Sequence, residues 1–137
     1  IFATAKDGSK IPITLFYNKM RVKKDGSNKL WLTGYGAYGI SMEATYSKTV
    51  FSILNQGFIY AIAHVRGGSD CGFDWYEQGR LLNKQNTFTD FIACAEYLIA
   101  EKYTSPDRVV AQGGSAGGLL MGAVVNARPD LFHTVVL

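Results

Sequence analysis

The run Phe58-Ile59-Tyr60-Ala61-Ile62-Ala63-His64-Val65 restricts the possible folds of this chain more than any other stretch. It is apolar on both faces, and a strand of that kind belongs in the middle of a largely parallel sheet, covered above and below. Helical period supplies the covering layers. Between Thr87 and about Lys102, the residues Phe88, Phe91, Ile92, Ala95, Leu98 and Ile99 share one face, and a second helix is expected over roughly 48–56. Two strands, 1–6 and 11–17, flank the turn Asp7-Gly8-Ser9, with Ile11, Ile13, Leu15 and Tyr17 alternating. Leu30-Trp31-Leu32 starts a buried strand after the polar turn 23–28, and Arg108–Gln112 reads as another after the break at Ser105-Pro106-Asp107. Strands alternating with helices behind an N-terminal hairpin predict an α/β fold with a mostly parallel, doubly wound sheet.

Composition narrows the function classes. The chain has 137 residues, enough for one core, with 47% apolar and 18% charged residues. The net charge is +3, and the basic residues are scattered rather than gathered into a stripe with interleaved aromatics. Nucleic acid is therefore a poor partner. There is no run of 18 apolar residues and no charged segment leading into an apolar one at the start, so no membrane span or export signal is expected. Cys71 and Cys94 lack metal-ligand spacing and read as free thiols, which favours a reducing, cytoplasmic setting. The chain begins without Met inside a strand-like pattern and stops inside the apolar run Thr134-Val135-Val136-Leu137. A fragment truncated at both ends is the expectation.

The chemistry concentrates at Gly113-Gly114-Ser115-Ala116-Gly117-Gly118. A G-x-S-x-G sequence alone is weak, and a glycine-rich turn would explain it. Here an apolar β-branched run precedes it and a helix-like run, Leu119–Ala127, follows. That context predicts a nucleophile elbow, the strained strand-to-helix turn of α/β-hydrolases that lifts a serine hydroxyl out of the backbone. The N–H of Ala116 would be one oxyanion donor. A tyrosine in the loop Gly34-Tyr35-Gly36-Ala37-Tyr38-Gly39 could supply the second or could merely pack. Ser115 also needs a histidine oriented by a carboxylate. His64 ends a buried strand and reads as structural. Asp130 and His133 lie past the far end of a helix of about a dozen residues, roughly 20 Å away at 1.5 Å per residue. The chain is thus expected to carry a nucleophile without its base, and to need no metal or cofactor.

Taken together, Gly113–Gly118, Gly34–Gly39, His64-Val65-Arg66-Gly67-Gly68, Lys84–Phe91, Tyr103-Thr104-Ser105-Pro106 and Asn126–Phe132 resemble the catalytic domain of the prolyl oligopeptidase family, in family order over essentially the whole chain. Ala116, His64 and Met121-Gly122 look most like oligopeptidase B, whereas Lys84-Gln85-Asn86 and Ala95–Ile99 look equally like prolyl oligopeptidase itself. The resemblance implies that Ser115 is the acylated nucleophile of a serine peptidase acting on short peptides. It implies Tyr35 as the hydroxyl donor to the oxyanion beside Ala116 N–H, and Tyr38 as an aromatic wall of the pocket for the residue before the cut. The acid, the histidine, the acidic residues favouring Lys or Arg, and a β-propeller domain would lie outside residues 1–137. Thr33 departs from the tyrosine usual in the loop. Of two aspartates expected shortly after it, Glu43 stands at one position and Thr45 at the other, so Glu43 is either a remnant subsite or a solvated carboxylate. Asp70 stands where the family has a glutamate and reads as an ion pair within its loop. An esterase or acylaminoacyl-peptide hydrolase of the same fold is one rival, and a non-catalytic hydrolase-fold product is another.

Overall fold

A computed structural model describes residues 1–137. The chain opens with a hairpin, β1 (Phe2–Thr4) and β2 (Lys10–Phe16), turned by Asp7, whose Oδ1 accepts the Ser9 N–H at 3.0 Å. There follow β3 (Lys29–Thr33), α1 (Lys48–Asn55), β4 (Phe58–Ala63), α2 (Phe73–Glu77), α3 (Gln85–Ala100), β5 (Val109–Gln112), α4 (Ala116–Ala127) and β6 (Thr134–Val136). All six strands join in one sheet of order β1-β2-β4-β3-β5-β6. The hairpin and the β2–β4 pair are antiparallel, and β4, β3, β5 and β6 run parallel.

One face of the sheet carries the core. Ile11, Ile13, Leu30, Leu32, Ile59, Ala61, Val109 and Ala111 are buried there with Phe91, Cys94 and Leu98 of α3 and Leu120, Met121 and Val124 of α4. Burying each large aliphatic or aromatic side chain contributes about 1.5–3 kcal/mol. The alternate residues Trp31, Tyr60 and Val110 are only half buried, because α1 is the single helix packed on β4 that lies outside this cluster.

Several expected boundaries move, two of them beside the reactive loops. The doubly apolar strand ends at Ala63 rather than Val65, because His64, Val65 and Arg66 leave the ladder to form a loop. The elbow helix begins at Ala116 rather than Leu119, so Gly117 and Gly118 join Gly122 inside the helix. The short α2 has no counterpart in the sequence pattern. Its five residues span little more than one turn, too few to display a period.

A buried ion pair seats the loop after β4. Arg66 is 2% exposed and Asp90, in α3, 0% exposed. Arg66 donates from Nε to Asp90 Oδ2 at 2.8 Å and from Nη2 to Oδ1 at 2.6 Å, while its own backbone N–H reaches Oδ2 at 3.0 Å. Its remaining guanidinium nitrogen reaches the half-exposed Asp7 at 2.6 Å, holding that carboxyl down to about 2.

Candidate active site

Parallel strands with helical crossovers place their reactive loops at the carboxyl ends of the strands. The loop after β3 and the elbow after β5 therefore start side by side. Their last residues, Thr33 and Gln112, are register partners, and Thr33 Oγ1 donates to Gln112 Oε1 at 2.9 Å. Thr33 entered the sequence reading only as a departure from a family tyrosine. Here it ties the two strands together where the site begins, a role foreshadowed only by two polar residues ending neighbouring apolar strands.

Ser115 has the geometry of the elbow. Its φ of 57° and ψ of −120° are unusual for a residue with a side chain, and strain of this kind persists only where the surroundings impose it. Two close approaches impose it. A Cβ at Gly113 would lie 2.4 Å from the Gly117 carbonyl oxygen, so the turn closes only around glycine. A Cβ at Gly117 would lie 3.0 Å from the Gly34 carbonyl oxygen and 3.6 Å from the Tyr35 ring. Gly117 thus lets the loop after β3 lie against the first turn of α4. Ser115 is exposed, and Ala116 follows as the first helical residue, whose N–H has no intrahelical acceptor. The N-terminal end of α4 adds partial positive charge at the same place.

The structure sets the Tyr35 ring beside Gly117, two residues after Ser115, and places Tyr38 with Ala116 around one cavity. Tyr38, at φ 57° and 76% exposed, lines a cavity of about 260 Å³ with Ala116, Leu119, Tyr76, Arg80 and Lys84. Glu43 is not part of this group. It is exposed in the segment before α1 and makes no ion pair. Tyr76 and Arg80 went unrecognised in the sequence, the former because it belongs to the short α2.

Neither histidine is available to Ser115. His64 Nδ1 lies 2.8 Å from Asp70 Oδ1 and Nε2 lies 2.8 Å from Thr14 Oγ1, so both ring nitrogens are engaged. Asp70 also accepts the Met42 N–H at 2.9 Å, which matches its reading as a partner within the loop. His133 donates its N–H to Val109 O at 3.0 Å and sits with Lys29, Phe58 and Arg108 at the amino ends of the parallel strands. The four residues of β5, roughly 13 Å of strand, separate that end from the elbow. Cys71 is exposed, and desolvation and then Asp70 push its thiol up from the ordinary value.

A sequence model of the prolyl oligopeptidase family matches residues 44–137. The chain belongs to that family. Dipeptidyl aminopeptidase BI of Pseudoxanthomonas mexicana is 50% identical over 137 residues, covering 99% of this chain and 19% of the relative. The prolyl endopeptidase of Elizabethkingia meningoseptica is 42% identical over 131 residues, 96% of this chain and 18% of the relative. Among solved structures, oligopeptidase B from Trypanosoma brucei with covalently bound antipain superposes with a TM-score of 0.95 at 51% identity, over 98% of this chain and 19% of that one. The chain thus spans about a fifth of the length of these family members. None of its helices is long and apolar enough to cross a membrane.

Proposed function

We propose that these residues form the nucleophile-bearing part of the catalytic domain of a serine oligopeptidase that cuts short peptides, with a preference for Lys or Arg before the scissile bond. The observation that carries the reading is Ser115: exposed, held at φ 57°, at the head of α4 and against the Tyr35 loop. Its Oγ would attack the peptide carbonyl while a histidine from outside residues 1–137, oriented by a carboxylate also from outside, takes the proton. The oxyanion would accept hydrogen bonds from Tyr35 O–H and Ala116 N–H. Collapse of the adduct breaks the C–N bond and returns the proton to the leaving amine, and water then hydrolyses the Ser115 ester by the same route. A β-propeller domain elsewhere in the polypeptide would limit access to short substrates.

Among solved structures, identity to oligopeptidase B, at 48% and 51%, exceeds that to a prolyl endopeptidase at 44%, which supports the oligopeptidase B reading and with it the basic preference. Arg80 and Lys84 would repel a basic side chain in the cavity beside Tyr38, so the groups that receive it must be acidic residues supplied from outside the chain. A panel of short peptides, assayed with the complete polypeptide, tests this reading. Lys and Arg substrates should show the higher kcat/KM. Preferential cleavage after Pro would assign the prolyl-specific alternative, and cleavage of esters without peptides would assign the esterase.

A further inference from the structure

The loop that carries Tyr35 is fastened at two places. Its far end is held by backbone, with Gly39 N–H donating to Gly67 O at 3.0 Å, and by Ser69 Oγ donating to Gly39 O at 2.6 Å. The end next to Tyr35 packs closely on the loop after β4, with Gly36 O against Gly67, and receives one side-chain hydrogen bond. Lys84, immediately before α3, donates from Nζ to the carbonyl of Gly36, the residue that follows Tyr35.

This lysine is unusual in its surroundings. It is partly buried, and burial lowers its pKa from the ordinary lysine value. No carboxylate lies within ion-pair distance of it, and Glu77 of α2 is engaged by Arg80 at 2.9 Å. Withdrawing an ammonium from water without a counter-ion is costly, and packing alone would be served as well by an apolar side chain. Its one defined task is the Gly36 carbonyl, and it performs that task from the cavity shared by Tyr38, Ala116 and Leu119. Holding that carbonyl holds the Gly36–Ala37 peptide plane, one residue beyond Tyr35, and so restrains the turn at Gly36 from which the phenol leaves the loop.

We propose that Lys84 is a positioning residue for the oxyanion donor Tyr35, its ammonium clamping the Gly36 carbonyl so that the phenol is aimed at the adduct on Ser115. The proposal rests on the reading of Tyr35 as a donor, and a double-mutant cycle in the complete polypeptide separates the two. Tyr35→Phe alone should lower kcat by about 10- to 1000-fold. Lys84→Met should lower kcat by about 10- to 100-fold, the cost of an ångström-scale misplacement, with KM little changed. In the Tyr35→Phe background, Lys84→Met should cost almost nothing further, and Lys84→Arg, which keeps a charged donor, should restore most of the rate. An unchanged rate in Tyr35→Phe overturns the donor reading and the proposal with it. A normal cost for Tyr35→Phe overturns the proposal alone if Lys84→Met leaves kcat intact, raises only KM, or adds its full cost to the double variant. Thermal unfolding checks that each variant is folded, and Lys84→Gln replaces Lys84→Met in the same cycle if the methionine variant does not fold.

Discussion

Replacing Ser115 by alanine in the complete polypeptide should lower kcat for peptide hydrolysis by about a millionfold, the scale of nucleophile removal in serine peptidases. Binding should survive, because the substitution removes one oxygen from an exposed position and leaves the cavity lined by Tyr38 and Ala116 in place. A residual rate above the uncatalysed reaction is also expected, since the oxyanion donors still act on a carbonyl attacked directly by water. The side chain itself packs against nothing that the fold depends on, so thermal stability should not fall. No gain is expected either, because alanine keeps the positive φ at position 115 and with it the backbone strain of order 1–3 kcal/mol. A loss of only a few-fold would remove Ser115 from the mechanism.

Asp90→Ala should destabilise the fold by about 3–5 kcal/mol, measured by chemical denaturation. Asp90 is fully buried and accepts three hydrogen bonds from Arg66, two from the guanidinium and one from the backbone. Its removal leaves a buried guanidinium with only the half-exposed Asp7 as partner. Asp7→Ala is the internal control, because that pair reaches solvent and should be worth no more than about 1 kcal/mol. Exchanging both buried partners together, Arg66→Met with Asp90→Leu, should recover much of the loss, as the penalty lies in the orphaned charge rather than in the pair. Equal costs for Asp90→Ala and Asp7→Ala would contradict this. Activity should fall with stability in Asp90→Ala. The Arg66 carbonyl accepts from Thr87 Oγ1 at 2.7 Å, and the adjoining Gly67 carbonyl receives the Gly39 N–H that holds the Tyr35 loop.

The sheet and the elbow were legible in the sequence because each leaves a local signature. A strand apolar on both faces belongs in the middle of a largely parallel sheet, where β4 lies parallel to β3 and antiparallel to β2, and Gly113 and Gly117 around a serine, between a strand and a helix, fit few turns other than the one observed. His64 was also legible, since a histidine closing a buried strand needs partners, and it finds them in Thr14 and Asp70. What escaped is non-local. Arg66 and Asp90 are 24 residues apart, and nothing nearby pairs them. The available signal was that Asp90 shares a buried helical face with Thr87, Phe91, Cys94 and Leu98, where a carboxylate must have a partner. The Thr33–Gln112 bond and the Lys84 clamp depend on strand register and on the turn before α3, neither of which periodicity reveals. Helix α2 escaped for lack of length, although Gly72 and Gly79 bracket it, and with it went Tyr76 on the cavity wall.

The central claim is that Ser115 is the residue acylated, with a base that residues 1–137 do not contain. Labelling with an active-site-directed fluorophosphonate, followed by peptide mapping, tests both halves at once. The complete polypeptide should be labelled rapidly on Ser115 and its Ser115→Ala variant not at all, whereas residues 1–137 alone should show no labelling at an enzyme-like rate. Modification of another residue in the complete polypeptide, or rapid labelling of Ser115 in the isolated 137 residues, would contradict it.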